Sequence, residues 1–332
     1  MPKLIAADEL FGHQIPEPLL NVAVHHDHWR ESFYYGMHPR GGIGDAVIFT
    51  MAHYPKRETL DSHEFSFMGG QRLFGHFTRP YGDAPHTTVV GPVSIEIVEP
   101  YKTVRLTADP AVAPVGVDVT FTARTQAYAL RRGTMKAGDE IIWDQSHFLQ
   151  SGTYSGSYTY NGVTRSVDDW WGQRDHSWGI RDHARCPMWL WLAIQLPDGM
   201  FGVWHWEYAN GARVFTDGCF APADGGAPIP IIDFRHDLHW TDKNGEPAGY
   251  GRDGGDTTGL AGRVEFVLEG GRTIAIDGEG TRCASYGPYG GGQHQMLVRS
   301  DDGRTGTAIY ELTGSHHHRY FPIARAEHLP PG

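Results

Sequence analysis

The stretch RVEFVLEGGRTIAIDGEG (Arg263–Gly280) contains two runs of alternating apolar and polar residues joined by Gly270-Gly271. A period of two is typical of strands with one buried face, and a Gly-Gly pair between two such runs predicts a β-hairpin. The same arrangement predicts hairpins at Asn161-Gly162, Asp198-Gly199 and Asn210-Gly211. The sequence therefore predicts consecutive antiparallel strands joined by tight turns.

Further alternating runs occur on the amino-terminal side of this hairpin, at Val93–Ala108 and Val117–Thr125, and after it at Gly306–Ser315. Long amphipathic helical patterns are scarce, and the frequent glycines (43) and prolines (21) agree with many turns. Large sheets avoid exposed edges by closing into barrels or stacking. Because 332 residues is large for one barrel, we expect two β-domains, residues 1–165 and 166–332, that pack together.

Composition excludes several classes of protein. The net charge of −11 argues against a nucleic-acid partner and against an anionic membrane surface. Three cysteines without a CxxC motif indicate neither a zinc ribbon nor a disulfide scaffold. No apolar run approaches the ~20 residues needed to span a bilayer, and the first residues lack a signal-peptide core. We expect a cytoplasmic protein, and a homodimer is left open.

Tryptophan is concentrated in one region of the chain. Seven of the ten tryptophans lie between Trp170 and Trp206, together with GQRDHSWGIRDH (Gly172–His183). On a strand, alternation places Arg174, His176 and Trp178 on one face and Asp175 on the other.

A later strand carries the second part of this region. Trp204, Trp206 and Tyr208 alternate with His205 and Glu207, so the two sets face opposite sides. Trp189 and Trp191 alternate with leucines, which predicts a strand that is buried on both faces.

An aromatic pocket with a few acid–base groups suits an apolar substrate. Burial raises the pKa of a carboxylic acid, so such a group could protonate an alkene or a hydroxyl near neutral pH. The candidate acids are Asp175, Asp182 and Glu207, and His176 or His205 could act as a base or hold a water. The predicted catalytic residues are Asp175, His176 and Glu207. The predicted substrate-binding residues are Arg174, Trp178, Trp204, His205, Trp206 and Tyr208.

A structural interpretation competes with this one. Tryptophans in β proteins are usually core residues, and Asp175 beside Arg174 forms a plausible structural ion pair. The histidines of His25–Glu31, His236–His239 and His316–His318 have spacings that do not specify a metal site. We therefore expect no metal, and the lack of nucleotide-binding motifs predicts no other cofactor.

The segment SGTYSGSYTYNGVTRSVDDWWGQRDHSWGIR (Ser151–Arg181) resembles lipocalin-like proteins related to carotenoid hydratase (hydroxyneurosporene synthase). Asp175–Gly179 carries the resemblance, which is closer to a bacterial branch with RDHSWG than to the carotenoid enzymes themselves. It implies two lipocalin-like β-barrels, a hydrophobic pocket and functional roles for His176 and Trp178. The family includes hydratases of isoprenoid alkenes and relatives that catalyse pericyclic or cyclisation reactions. Its downstream acid and tyrosine are matched here by Glu207 and Tyr208.

The sequence thus favours a cofactor-independent lyase or isomerase acting on a small apolar molecule. In this hypothesis Asp175 or Glu207 gives the proton, His176 activates or accepts water, and Trp178, Trp204 and Trp206 line the cation. Two alternatives share the pocket: a hydrophobic-ligand carrier without chemistry, and a cyclase or Diels–Alderase-type enzyme.

Overall fold

The computed structural model describes residues 3–13, 26–250, 257–286, 291–314 and 318–321, and these form two compact units of almost entirely β structure. Two short 3-10 helices, Ala6–Glu9 and Pro55–Arg57, are the helical elements of these residues. The predicted all-β architecture of two barrel-like sheets is confirmed. None of the helices in the described part of the chain is long and apolar enough to cross a bilayer.

The first unit takes in the described chain up to Arg181, apart from Gly41–Ile43, and also Ala221–Pro228. Its single antiparallel sheet runs in the order β4-β3-β2-β1-β12-β11-β8-β7-β6-β5, with β9 and β10 also paired to β11. Ser62 on β3 donates a hydrogen bond to the carbonyl of Val90 on β5, so the two ends of the sheet meet. The strands are β1 (Trp29–His38), β2 (Ala46–Tyr54), β3 (Thr59–Met68), β4 (Gln71–Pro80), β5 (Val89–Val90), β6 (Val93–Glu99), β7 (Thr103–Ala108), β8 (Gly116–Ala123), β9 (Tyr128–Ala129), β10 (Gly133–Ala137), β11 (Glu140–Tyr160) and β12 (Val163–Arg181).

The hairpin predicted at Asn161-Gly162 joins β11 to β12. Both turn residues have positive φ, 52° and 73°, as a type I′ turn requires. The expected domain boundary near residue 165 falls inside β12, whereas the units divide after Arg181. The physical reason is that β12 pairs with β11 along nearly its whole length and with β1 over Trp171–Ile180, so the strand belongs to one sheet.

The second unit is a closed barrel in which each strand pairs with the next and the last closes on the first. The predicted hairpins at Gly270-Gly271, Asp198-Gly199 and Asn210-Gly211 all join neighbouring strands of this barrel. The strands are β13 (Met188–Leu196), β14 (Gly199–Glu207), β15 (Arg213–Pro222), β16 (Ile229–Thr241), β17 (Gly259–Leu268), β18 (Thr273–Ser285), β19 (Gly291–Ser300) and β20 (Thr305–Thr313).

Alternation decides which side chains fill this barrel. Leu190, Leu192 and Ile194 of β13 belong to the barrel core, as do Phe201 and Val203 of β14. The intervening Trp189 and Trp191 are buried as well, which confirms that β13 is covered on both faces. The three cysteines are free and buried, in agreement with the absence of a disulfide framework.

Candidate functional site

The register between β1 and β12 brings an unpredicted carboxylate to the RDHSWG motif. Phe33 pairs with His176 and Glu31 pairs with Trp178. Directly paired residues of antiparallel strands point to the same face. Glu31 therefore lies on the face that carries His176 and Trp178. In the sequence, Glu31 is marked only by the histidine-rich segment around it, and no local pattern indicates its partner strand.

Four side chains form what we call the first cluster: Asp8, His13, Glu31 and His176. One Glu31 oxygen (Oε1) contacts Nδ1 of His13 and lies 3.0 Å from Nε2 of His176. The other ring nitrogen of His13 is 2.8 Å from Asp8 Oδ1, and that of His176 is 2.6 Å from the Asp8 carbonyl oxygen. All four residues are buried, so the contacts lie in a low-dielectric environment.

The hydrogen bonds of this cluster define its proton content. The four ring nitrogens of His13 and His176 each face an oxygen, so the four contacts need four hydrogens. Two neutral imidazoles supply only two of them. Two further protons complete the bonds, and they also balance the charges of the two carboxyl groups.

These contacts shift the pKa values of His13 and Glu31. Burial favours a lower pKa for His13, but its hydrogen bonds to Asp8 and Glu31 outweigh burial and raise the pKa to about 9. Burial conversely favours a raised pKa for Glu31, and its bonds to His13 and His176 lower the pKa to about 2. The first cluster thus holds ionised Glu31 beside a protonated His13.

Aromatic rings surround the first cluster. His13 stacks on Trp178 with ring centroids 3.9 Å apart and planes inclined by 12°, and Phe33 lies 4.3 Å from His176. The face of an indole attracts a cation because its quadrupole is negative there. The indole of Trp178 therefore already stabilises one cationic ring, that of protonated His13.

Arg174, predicted to bind substrate, is instead a buried anchor. Its guanidinium lies 2.8 Å from Glu9 Oε1 and donates two hydrogen bonds to Gln150 Oε1. Glu9 also accepts the backbone N–H of Tyr101. These contacts tie the 3-10 helix Ala6–Glu9 to the sheet.

Asp175, the predicted proton donor, points away from His176. It occupies the opposite face of β12, as alternation requires, and its Oδ1 lies 3.2 Å from Nε2 of His147. Asp175 and His176 therefore lie on opposite faces of the sheet, as the sequence pattern indicated. The glycine of the motif, Gly179, has φ of 141°, and a Cβ there would lie 2.0 Å from the carbonyl oxygen of Asp144.

A second cluster lies on the interior face of the barrel in the second unit. Nε2 of His205 and Nε2 of His236 lie 3.1 and 2.9 Å from Glu207 Oε1, and Nε2 of His318 lies 2.9 Å from Glu207 Oε2. Burial by itself raises the pKa of Glu207, but the three histidines outweigh it and hold the pKa well below its ordinary value. Glu207 is an ionised acceptor here, so the prediction that it is a neutral proton donor is not supported.

Several predicted binding residues lie away from Glu207. Trp204 and Trp206 are buried on the opposite face of β14, as their alternation with His205 and Glu207 indicated. Tyr208 is 39% exposed after the strand end. The tyrosine near this cluster is Tyr320, whose hydroxyl lies 2.9 Å from Nδ1 of His236.

The predicted residues thus divide between the units: Arg174, Asp175, His176 and Trp178 belong to the first, and Trp204, His205, Trp206, Glu207 and Tyr208 to the second. The second cluster includes His236 of the HDLH motif and His318 of the HHH motif, although the spacing of these motifs does not specify a site. His25, His316 and His317 lie outside the described residues.

Glu64 is a buried acid with a raised pKa, the property predicted for Asp175, Asp182 or Glu207. It lies on β3 and is fully buried, with Oε1 accepting hydrogen bonds from the Ser66 hydroxyl and the Val115 N–H. Its Oε2 has no partner among the described residues. Burial raises the pKa of Glu64 from 4.5 to about 7, although both hydrogen bonds oppose the shift.

Replacing Glu64 with glutamine should remove a pH dependence of stability. A carboxyl group whose pKa is raised by folding contributes its full stabilisation below the unfolded-state pKa of 4.5. This stabilisation is lost as the pH rises from there through the folded-state pKa of about 7. Relative to wild type, Glu64→Gln should therefore gain about 3 kcal/mol between about pH 4 and about pH 9. Urea unfolding of both proteins at the two pH values measures the difference. A difference independent of pH would show that Glu64 ionises normally.

Comparisons with known proteins identify the family to which the chain belongs. A family described as "Family of unknown function (DUF8625)" matches residues 4–244. The chain belongs to this family. The matched residues include the whole first cluster and, in the second, His205, Glu207 and His236, whereas His318 and Tyr320 lie beyond them. No curated protein matches the chain.

Solved structures match over both units. A protein assigned as AttH from Nitrosomonas europaea aligns with a TM-score of 0.60 at 12% identity, over 87% of this chain and 94% of that one. Kievitone hydratase from Nectria haematococca aligns with a TM-score of 0.55 at 11% identity, over 86% and 89%. CghA bound to Sch210972 aligns with a TM-score of 0.57 at 11% identity, over 87% and 89%. These similarities confirm the lipocalin-like fold.

Proposed function

We propose that the chain is a lyase or isomerase of the hydratase or dehydratase type, acting on a small apolar molecule without a cofactor. One observation carries the proposal: Nε2 of His176 lies 3.0 Å from Glu31 Oε1 in a buried, aromatic environment, and the same carboxylate oxygen also contacts His13. An acid–base group in such surroundings can protonate an apolar substrate while water is excluded from competing reactions.

In the proposed hydration, a substrate alkene carbon takes the place of Glu31 Oε1 at His176 Nε2. The proton on Nε2 forms the new C–H bond, and the alkene electron pair is consumed in forming it. The resulting carbocation lies against the indole of Trp178, which favours positive charge by ~0.5–2 kcal/mol. Water adds to the cation, and its proton returns to His176. Dehydration follows the same steps in reverse.

The first cluster also sets a requirement for binding. Phe11 and His13 currently cover His176 and Trp178, with the Phe11 centroid 6.3 Å from that of His176. Both belong to the amino-terminal segment, so in this proposal these side chains move aside when substrate binds.

The comparisons support this reaction class at the level of fold. Kievitone hydratase is by name a hydratase. The resemblance of Ser151–Arg181 to carotenoid hydratase relatives further suggests an isoprenoid or aromatic alkene. A second candidate is ligand binding without turnover, and it is favoured by CghA, a relative in fold that holds the small molecule Sch210972.

Solvent isotope incorporation tests the proposal. Wild-type protein is incubated in D2O with a panel of isoprenoid and aromatic alkenes and the corresponding tertiary alcohols, and products are analysed by mass spectrometry and NMR. We expect a hydrated product with deuterium bound to carbon, or the alkene formed from the alcohol. If panel members bind, as seen by thermal shift, but none is converted, the carrier function replaces the enzymatic one.

A further inference from the structure

We propose that His205, Glu207 and His236 bind a divalent transition-metal ion inside the barrel of the second unit. This site goes beyond the proposed function, whose residues belong to the first unit. It also departs from the expectation of no metal, which rested on the spacing of histidines in the sequence.

The distances fit a coordination sphere. Glu207 Oε1 lies 3.1 Å from Nε2 of His205 and 2.9 Å from Nε2 of His236, and the three atoms lie within 4.8 Å of one another. A metal with bonds of ~2.1 Å places adjacent ligand atoms ~3.0 Å apart in an octahedron and ~3.4 Å apart in a tetrahedron. An ion can therefore take the place of the shared hydrogens with small shifts of the three side chains.

The outer ring nitrogens are held as metal-binding histidines require. Nδ1 of His205 lies 2.6 Å from the Thr216 hydroxyl, and Nδ1 of His236 lies 2.9 Å from the Tyr320 hydroxyl. When each hydroxyl accepts a hydrogen bond from Nδ1–H, both Nε2 lone pairs point at Glu207 Oε1. In that tautomer the three lone pairs face one another, and a metal ion among them takes the place of the hydrogens that otherwise join the rings to Glu207.

His318 acts on the carboxylate rather than on the ion. The Tyr320 N–H donates to Nδ1 of His318, so Nε2 of this ring carries the hydrogen and donates it to Glu207 Oε2. Oε2 is thereby occupied, and Oε1, with Nη2 of Arg319 3.8 Å away, remains for the metal. The result is a set of two imidazoles and one monodentate carboxylate, which suits Zn2+ or Fe2+.

The strands fix this ligand set. His205 and Glu207 stand two residues apart on β14. His236 lies on β16, two residues from each of the core residues Phe234 and Leu238, so it shares their face of the strand. All three ligands therefore project from rigid strands of a closed barrel toward the same interior space.

Zinc binding tests the proposal on the full chain. Protein treated with EDTA and dialysed is titrated with Zn2+ in competition with a coloured chelator, and the Co2+ form is examined by visible absorption. We expect wild type to bind one more Zn2+ than His205→Gln/His236→Gln. His318→Ala, which removes an outer partner, should weaken this site by ~10–100-fold. His239→Gln, which replaces an exposed histidine on the same strand as His236, is the matched control and should bind as much Zn2+ as wild type.

Two results would overturn the site. One is equal Zn2+ stoichiometry in wild type and in a double variant that remains folded by circular dichroism. The other, which needs no variant, is a wild-type Co2+ spectrum indistinguishable from that of the hydrated ion. Both measurements detect metal binding and do not depend on turnover, so their outcome is independent of the proposed reaction.

Discussion

Turnover should fall by about 10²–10⁴-fold when His176 is replaced by asparagine, while the protein stays folded. The asparagine amide can still donate to the Asp8 carbonyl, as Nδ1 of His176 does. It cannot reach Glu31 at the same time, and it cannot carry the transferred proton. The loss should therefore appear in kcat for the substrate found by deuterium incorporation.

The control for this variant is His63→Asn, because His63 lies on β3 outside the first cluster. Its turnover should match that of wild type. Undiminished kcat in His176→Asn, with deuterium still transferred to carbon, would remove His176 from the mechanism and the reaction from this cluster.

Arg174→Met should destabilise the first unit by about 3–5 kcal/mol, because removal of one partner leaves a buried charge uncompensated. The charge left behind is Glu9, which is fully buried and lies 2.8 Å from the guanidinium. Chemical denaturation of the variant and wild type measures the loss.

A double variant separates this anchoring role from substrate binding. Arg174→Met/Glu9→Gln replaces both charges with neutral side chains, so it should regain a large part of the lost stability. If Arg174 instead bound substrate, Arg174→Met would raise KM and leave the free energy of unfolding unchanged.

Local patterns were sufficient to predict the strands but not the boundary between units. Gly270-Gly271 and Asn161-Gly162 mark hairpins because turn conformation is decided by two residues. The division after Arg181 depends on which strands β12 pairs with, and β1 lies more than a hundred residues earlier. No local pattern carries that pairing.

The same difference between local patterns and long-range strand pairing explains which residues of the two clusters the sequence indicated. His176 and Glu207 stand out in the sequence because each lies in a compact local motif, and in the structure each contacts other acid–base side chains. Glu31, His13 and Glu64 were missed because their significance comes from strand register and from a segment packed on the sheet. The pKa of Glu207 could not be predicted, since His236 and His318 reach it from distant parts of the chain. Trp204 and Trp206 were grouped with Trp178 by proximity in sequence, although they belong to a different unit.

The amino-terminal segment has a practical consequence for producing this protein. Asp8, Glu9 and His13 complete the charge balance of Glu31 and Arg174 from outside the sheet. A shortened expression clone that begins at β1 would look complete by its strand content, yet it would leave the buried charge of Arg174 without Glu9, and it would leave Glu31 with His176 but without His13. Affinity tags are therefore better attached with a long spacer or at the other end of the chain.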